Sequence, residues 1–345
     1  MQRRVPGQDD DSIGNALRER ARRMIMRHLA LAALLLAGAC AATPDAVTGG
    51  APRQPPGCAV TLEAEVAGRF DSNTLVIPAE GGGAPLRLQV DTGDSEQGSL
   101  SRATVRQLAL NPVSTGRQAA TVVGGVVPVV HVRLPGFSIG GLPPVAAWMA
   151  VQPTEAHVAG NQPVDGILGA GLLSRFDLEI DPEARAMRLH SASGCEQGLV
   201  PFAEPYVSVP LRRGPGNLLF APIAIDGVPL MALLDTGSNG GITLLRPGAE
   251  RLGIVPGAPG EIGMGRLRDW SGRQAEVRVR VAQSVVMGPM RAERVPIALI
   301  VPAPGGPTPL AVADAILGGA FLLRHRVWIS YATGMLHVAR RLPST

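Results

Sequence analysis

Val90-Asp91-Thr92-Gly93-Asp94 and, 144 residues later, Leu234-Asp235-Thr236-Gly237-Ser238 are two versions of one motif. Each follows an apolar run that reads as a buried strand, Leu86–Val90 in the first copy and Leu230–Leu234 in the second. Gly-rich turn residues come next, so each Asp is expected where a strand ends and the backbone swings away. One Asp-Thr-Gly alone is ordinary turn chemistry, but two in matching surroundings point to a pair. Two carboxylates brought face to face share one proton and can run acid–base chemistry on a water molecule.

The matching extends outward from the motif. Asp165-Gly166-Ile167-Leu168-Gly169 closes the first half and Asp314-Ala315-Ile316-Leu317-Gly318 the second, 149 residues apart. Before Asp91, Thr61–Val66 and Asn73–Pro78 alternate as strands do, and Gly81-Gly82-Gly83 marks a turn. After it come a short helix over Ser101–Leu110 with Ser101 as N-cap, a hairpin over Ala119–Val132, and strands near Phe137–Gly141 and Ala146–Val151. Leu178–Ile180 and Ala186–His190 end the half. The second half runs in the same order: Pro222–Ile225, the Asp226-Gly227 turn and Val228–Leu234, then a helix over Pro247–Leu252. A hairpin over Glu261–Val281 centred on Trp270-Ser271-Gly272 follows, then Val285–Gly288, Val295–Val301, Val327–Ser330 and Met335–Val338. The chain therefore reads as an internal duplication of about 145 residues.

Composition agrees with a mainly β protein. With 345 residues, two cores of roughly 150 residues each are expected. The 43 Gly and 31 Pro suit short strands joined by many turns, and aromatics are only 3%, so the cores are aliphatic. All 32 basic residues are Arg; beyond residue 39 the chain carries 25 Arg and 24 acids, which leaves no case for nucleic acid.

Residues 1–39 read as a signal peptide behind a possible N-terminal gene-model extension, with Met24 or Met26 as alternative starts. A basic region from Arg27 precedes the apolar Leu29–Ala37, which is too short to span a bilayer. Ala37-Gly38-Ala39-Cys40 resembles a bacterial lipobox with Cys40 as the lipidated residue, although Leu36 stands four rather than three residues before it. Ordinary cleavage near Ala39 is the alternative. Either way the protein leaves the cytoplasm. Residues 40–57 form an Ala/Pro/Gly-rich tether, 58–197 the first lobe and 198–341 the second. Cys58 and Cys195 bracket the first lobe. In an oxidising envelope they can close a disulfide, the alternative being two buried free thiols.

With these motifs in view, the chain resembles the pepsin/retropepsin-like aspartic proteases, and most closely the bacterial retropepsin-like group with two lobes in one chain. The resemblance spans about 60–340 and rests on Asp91–Gly93, Ile167–Gly169, Asp235–Gly237 and Ile316–Gly318. It implies tandem β lobes with a few short helices, related by a pseudo-two-fold axis, with Asp91 and Asp235 as the catalytic pair. Thr92 and Thr236 would bond across the lobe junction, supported by Gly93, Gly237 and Ser238. Ile167, Leu168, Gly169, Ile316, Leu317 and Gly318 would pack behind the loops. The hairpins at Thr121–Pro128 and Arg268–Arg273 would be flaps, with Gly124, Gly125 and Trp270 as the flap residues of interest. The implied activity is peptide-bond hydrolysis on a peptide or unfolded protein, by a monomer acting as a pseudo-dimer, with no metal or organic cofactor and a membrane tether through the N-terminal lipid. The alternative is a catalytically silent peptide-binding envelope lipoprotein.

Asp94 departs from the family, which generally has Ser, Thr or Ala there. It either points harmlessly to solvent, as expected from its Gly-rich turn, or raises the proton affinity of the pair. Asp165 and Asp314 are expected to be turn or capping residues. His131, His157, His190, His325 and His337 are expected to be structural or on the surface, since no metal-ligand spacing links them. No Gly-x-Ser-x-Gly elbow or phosphate loop occurs.

Overall fold

In the computed structural model, residues 54–121, 123–196, 198–301 and 312–340 are described. The signal segment, Cys40 and nearly all of the tether lie outside them. Among the described residues, no helix is long and apolar enough to cross a membrane.

Each lobe is built on an eight-stranded sheet, and the two sheets correspond strand for strand. At the centre of the first, Ala84–Asp91 runs parallel to Gly166–Gly169, which pairs on its other side with Gly98–Leu100. At the centre of the second, Val228–Asp235 runs parallel to Ala315–Gly318, which pairs with Ile242–Leu244. Alternation decides which faces are buried. Leu86, Leu88 and Val90 are at most 3% exposed and face the core, leaving Arg87, Gln89 and Asp91 on the other face. The strand before each Asp strand joins it by a tight hairpin. Gly82 and Gly83 (φ 62° and 78°) make that turn in lobe one, and Asp226 and Gly227 (φ 50° and 83°) make it in lobe two. Both central residues need positive φ in such a turn, which the Gly and Asp-Gly pairs supply.

A third, six-stranded sheet joins the lobes, in the order Ala59–Ala67, Ala186–Ser193, Asp177–Asp181, Val327–Ser330, Met335–Ala339, Tyr206–Pro210. The crossing is between Asp177–Asp181 and Val327–Ser330, with Leu178 opposite Ile329 and Ile180 opposite Val327. Asp177 seals it: its carboxylate accepts hydrogen bonds from the Trp328 indole (3.1 Å), the Ser330 hydroxyl (2.6 Å) and the Ala332 N–H (2.9 Å). Cys58 and Cys195 are joined by a disulfide at the edge of this sheet, packed with Leu199, Phe202 and Trp328.

The helices are short. Arg102–Gln107 begins at Ser101, whose hydroxyl accepts the Thr104 N–H at 3.2 Å. It stops before the expected Leu110 because Ala109 turns into the left-handed region at φ 50°. In lobe two the helix is Arg246–Arg251, with Pro247 in its first turn and Gly253 (φ 66°) beyond its end. The strand Gln274–Met287 runs unbroken where the sequence suggests two elements. It keeps pairing with Met290–Val301 up to Met287, and Gly288 at φ 55° makes the turn.

Candidate active site

Asp91 and Asp235 end their strands side by side, each carboxyl against the glycine of the other lobe's loop. The backbone between them leaves no room for larger residues. A Cβ on Gly93 would come within 2.6 Å of the Asp235 carboxyl carbon, and one on Gly237 within 2.3 Å of that of Asp91. Each glycine is thus required by the other lobe's aspartate.

The two threonines set this approach. The Thr92 N–H donates to Thr236 Oγ1 (3.1 Å), and the Thr236 N–H donates to Thr92 Oγ1 (3.2 Å). In turn the Thr92 hydroxyl donates to the Leu234 carbonyl (2.8 Å) and the Thr236 hydroxyl to the Val90 carbonyl (2.9 Å). Both residues are fully buried, so these bonds form away from competing water, where leaving any of them unmade is costly. Behind the loops, Leu168 and Leu317 are buried and Gly169 and Gly318 sit opposite Asp91 and Asp235 in the parallel ladders. The Ala170 N–H donates to the Asp94 carbonyl (2.7 Å) and the Gly319 N–H to the Ser238 carbonyl (2.6 Å), which ties each turn to its backing strand.

The electrostatics follow from this geometry. Burial, the Asp235 charge and the Asp94 charge push the Asp91 carboxyl well above the usual carboxylate range. Burial also pushes Asp235 up, opposed by the Asp91 hydrogen bond and the Ser238 and Gly237 N–H groups. As a unit the pair keeps a proton at a pH where exposed carboxylates have lost theirs. Raised values make the pair most compatible with the fold below the ordinary carboxylate range. That contribution is lost as pH rises through the folded-state values. Each loop steadies its own carboxylate through the backbone: Gly93 N–H donates to Asp91 Oδ1 (2.8 Å) and Ser238 N–H to Asp235 Oδ1 (2.9 Å).

Asp94 does not turn out to solvent. It is half-buried, its Oδ1 accepts the Glu96 N–H (3.0 Å), and burial pushes its carboxyl up to about 6. Its charge adds to burial and the Asp235 charge in pushing the Asp91 carboxyl up. Asp165 and Asp314 are backbone braces, accepting the N–H of Arg87 (2.7 Å) and of Met231 (2.8 Å).

The two hairpins expected as flaps end in the same turn. The Thr121 N–H reaches the Gly125 carbonyl (3.1 Å) and Gly124 N–H the Thr121 carbonyl (3.1 Å); the Asp269 N–H reaches Arg273 (2.9 Å) and Gly272 N–H reaches Asp269 (2.9 Å). Trp270 lies in the second tip, half-buried. The tips touch, with the Arg273 guanidinium donating to the Gly124 carbonyl. Val123 packs on an apolar cluster of lobe two that includes Phe220, Leu233, Leu245, Ile300 and Ile316. Leu233 is two residues from Asp235 on the same strand face and Ile316 is its ladder partner, so this hairpin tip packs on lobe two near Asp235.

Two further contacts went unread in the sequence. Gln89, buried two residues before Asp91, donates through Nε2 to the Gly237 carbonyl (2.9 Å) and meets His157 Nε2 through Oε1 (2.7 Å). Burial lowers His157 to about 4, so the neutral ring donates to Gln89. Glu96 binds Arg117 (2.9 Å) and buried His131 (3.1 Å), one from each strand of the lobe-one flap; His131 Nδ1 meets the Thr115 hydroxyl (3.2 Å). The period-two reading that placed Asp91 could have flagged Gln89; Glu96 carried no local signal. Among the described residues, no group of three His, Cys, Asp or Glu side chains could hold a metal ion.

The comparisons with known proteins agree with this architecture. A family model described as aspartyl protease matches residues 77–172 and again 221–321. No curated protein matches the chain. Among solved structures, a retropepsin-like aspartic protease from Rickettsia conorii is similar over 39% of this chain and 89% of that chain, at 16% identity and a TM-score of 0.29, a likeness too slight to bear on the argument. The two family matches cover both Asp-Thr-Gly loops, both Ile-Leu-Gly strands and more than half of the residues, and the chain belongs to the aspartyl protease family.

Proposed function

We propose that the protein is an aspartic endopeptidase in which Asp91 and Asp235 activate one water molecule. The observation that carries this reading is the meeting of two half-buried carboxyls at the lobe junction, each pressed against the other lobe's glycine. With one proton on the pair, the ionised member takes a proton from water as its oxygen attacks the amide carbonyl carbon. The protonated member hydrogen-bonds the developing oxyanion and passes it the proton. On collapse the amine nitrogen takes the pair's proton as the C–N bond breaks, and a hydroxyl of the tetrahedral species gives its proton back, so the pair again holds one. The peptide lies as an added strand beneath the flaps, whose closure keeps bulk water from the site. One chain supplies both aspartates, so a monomer suffices.

We also read the enzyme as exported and held to a membrane through Cys40. The Cys58–Cys195 disulfide supports this, because such bridges persist in oxidising compartments. Cys40→Ser is expected to move the protein from the membrane fraction to the soluble fraction of the producing cells; unchanged partitioning would reject the lipid anchor.

Purified mature protein is expected to cleave an unfolded polypeptide at acidic to neutral pH. Asp235→Asn should lower kcat/KM on the order of 10³-fold or more while leaving the fold intact; activity surviving in that variant would exclude the mechanism.

Asp94 is expected to act on the alkaline side of the pH profile. Above about 6 its carboxylate is ionised and favours retention of the pair's proton. Asp94→Asn, which keeps an acceptor for the Glu96 N–H, should move the alkaline limb of the kcat/KM profile to lower pH. The acid limb should stay in place, because Asp94 is already neutral there. A profile unchanged on its alkaline side would show that the Asp94 charge does not reach the pair.

A further inference from the structure

Two residues before each Asp the repeats differ, with Gln89 in lobe one and Leu233 in lobe two. Alternation puts each on the strand face that carries its aspartate. Leu233 joins an apolar cluster. Gln89 is only 3% exposed, and an amide so deeply buried needs partners for its donor and its acceptor alike. It finds one on either side, the Gly237 carbonyl of lobe two at 2.9 Å and His157 Nε2 at 2.7 Å.

The direction of this chain is set at one end. A carbonyl only accepts, so Gln89 turns Nε2 toward Gly237 and Oε1 toward His157, whose Nε2 must then carry a hydrogen. That hydrogen is present in one neutral tautomer and in the charged ring, so the chain does not depend on the ionisation of His157. His157 is itself held in the short strand pair His157–Ala159 and Gln162–Val164, opposite Val164.

The other end reaches the acid–base pair. The Gly237 carbonyl and the Ser238 N–H belong to one peptide unit, and that N–H donates to Asp235 Oδ1 at 2.9 Å. A donor on the carbonyl fixes the plane of the unit and polarises it, which strengthens the N–H as a donor. Lobe one has no counterpart. Leu233 has no hydrogen to give the Gly93 carbonyl, and the Asp94 N–H meets the Asp91 backbone carbonyl (3.4 Å), while Asp91 Oδ1 takes the Gly93 N–H (2.8 Å). A hydrogen bond aimed at a carboxylate favours its ionised form.

We propose that Gln89, held by His157, is a positioning residue of the acid–base pair: it fixes the Ser238 N–H on Asp235, so that Asp235 is the ionised member that takes a proton from water and Asp91 the member that keeps the shared proton. The inference rests on the reading of the pair as an acid–base unit and assigns its two roles. The groups around the pair act in the same sense or not at all. Ionised Asp94 favours the proton on Asp91, and the Gly237 N–H favours charge on Asp235. The Glu96 charge falls on Asp94. Tyr331 is near enough to feel Asp91, but burial pushes its hydroxyl up and keeps it neutral.

Carboxyl-carbon NMR of protein labelled with ¹³C-aspartate reads the two roles separately, whether or not a peptide is cleaved. Between the two titrations of the pair, the Asp91 carbon should show the protonated shift and the Asp235 carbon the ionised one, a preference on the order of tenfold. Gln89→Met keeps the length of the side chain and cannot donate. It should cut that preference by about threefold or more, move the Ser238 amide proton upfield, and lower kcat by a similar factor with KM little changed. His157→Phe leaves Gln89 free to turn and should act in the same direction, less strongly; it decides the matter if Gln89→Met does not fold. A merely structural role would lower the melting temperature and leave the preference at its wild-type value. That result, or a wild-type proton shared evenly or resting on Asp235, overturns the proposal. If the wild type cleaves but the preference ignores both substitutions, the positioning role is wrong and proteolysis stands. If the preference follows Gln89 but the wild type cleaves nothing, proteolysis is wrong and the positioning role stands.

Discussion

The reciprocal hydrogen bonds between Thr92 and Thr236 are the constraint on which the site depends. Each hydroxyl accepts the other lobe's N–H and donates to a carbonyl just before the other lobe's Asp, to Leu234 or to Val90. The arrangement uses the full donor and much of the acceptor capacity of both hydroxyls in a place closed to water. It draws Gly93 and Gly237 so close to the opposite carboxyls that no side chain fits there. Two carboxylates would otherwise repel. Here the backbone has already brought them together, and they relieve the repulsion by keeping a proton.

Much of this was legible in the sequence because the decisive features are local. Asp-Thr-Gly needs the same backbone at both sites, so duplication left the same letters, and Ile-Leu-Gly recurs because one backing strand must pass behind each loop. Alternation and Gly-bearing turns marked the hairpins for the same reason. The six-stranded sheet was not legible as a junction. Its key contact joins Asp177 to Trp328, 151 residues away, and nothing in either segment names its partner. Asp94 was expected in solvent from its Gly-rich neighbours, but the Glu96 N–H holds its carboxyl inward beside the pair.

Duplication kept the backbone and let the side chains diverge. Gln89, linked to His157 and to the Gly237 carbonyl, stands where lobe two has Leu233. Glu96 clamps both strands of the first hairpin to the Asp-Thr-Gly loop, and the repeat places Gly240 at the matching position, which offers no side chain for such a clamp. One hairpin is therefore anchored by charge at its catalytic loop, while the other contributes Arg273 to the contact between the tips. A symmetric pair of aspartates thus lies between lobes whose surrounding side chains differ.

The claim at the centre of this account is that Asp91 and Asp235 hold one proton between them. Carboxyl-carbon NMR of protein labelled with ¹³C-aspartate follows it directly, with Asp91→Asn and Asp235→Asn to assign the two resonances. The account predicts two coupled titrations, the later one lying well above the ordinary aspartate range and collapsing to a single transition in either variant. Two independent transitions near 4, each unaffected by loss of the other residue, would contradict it.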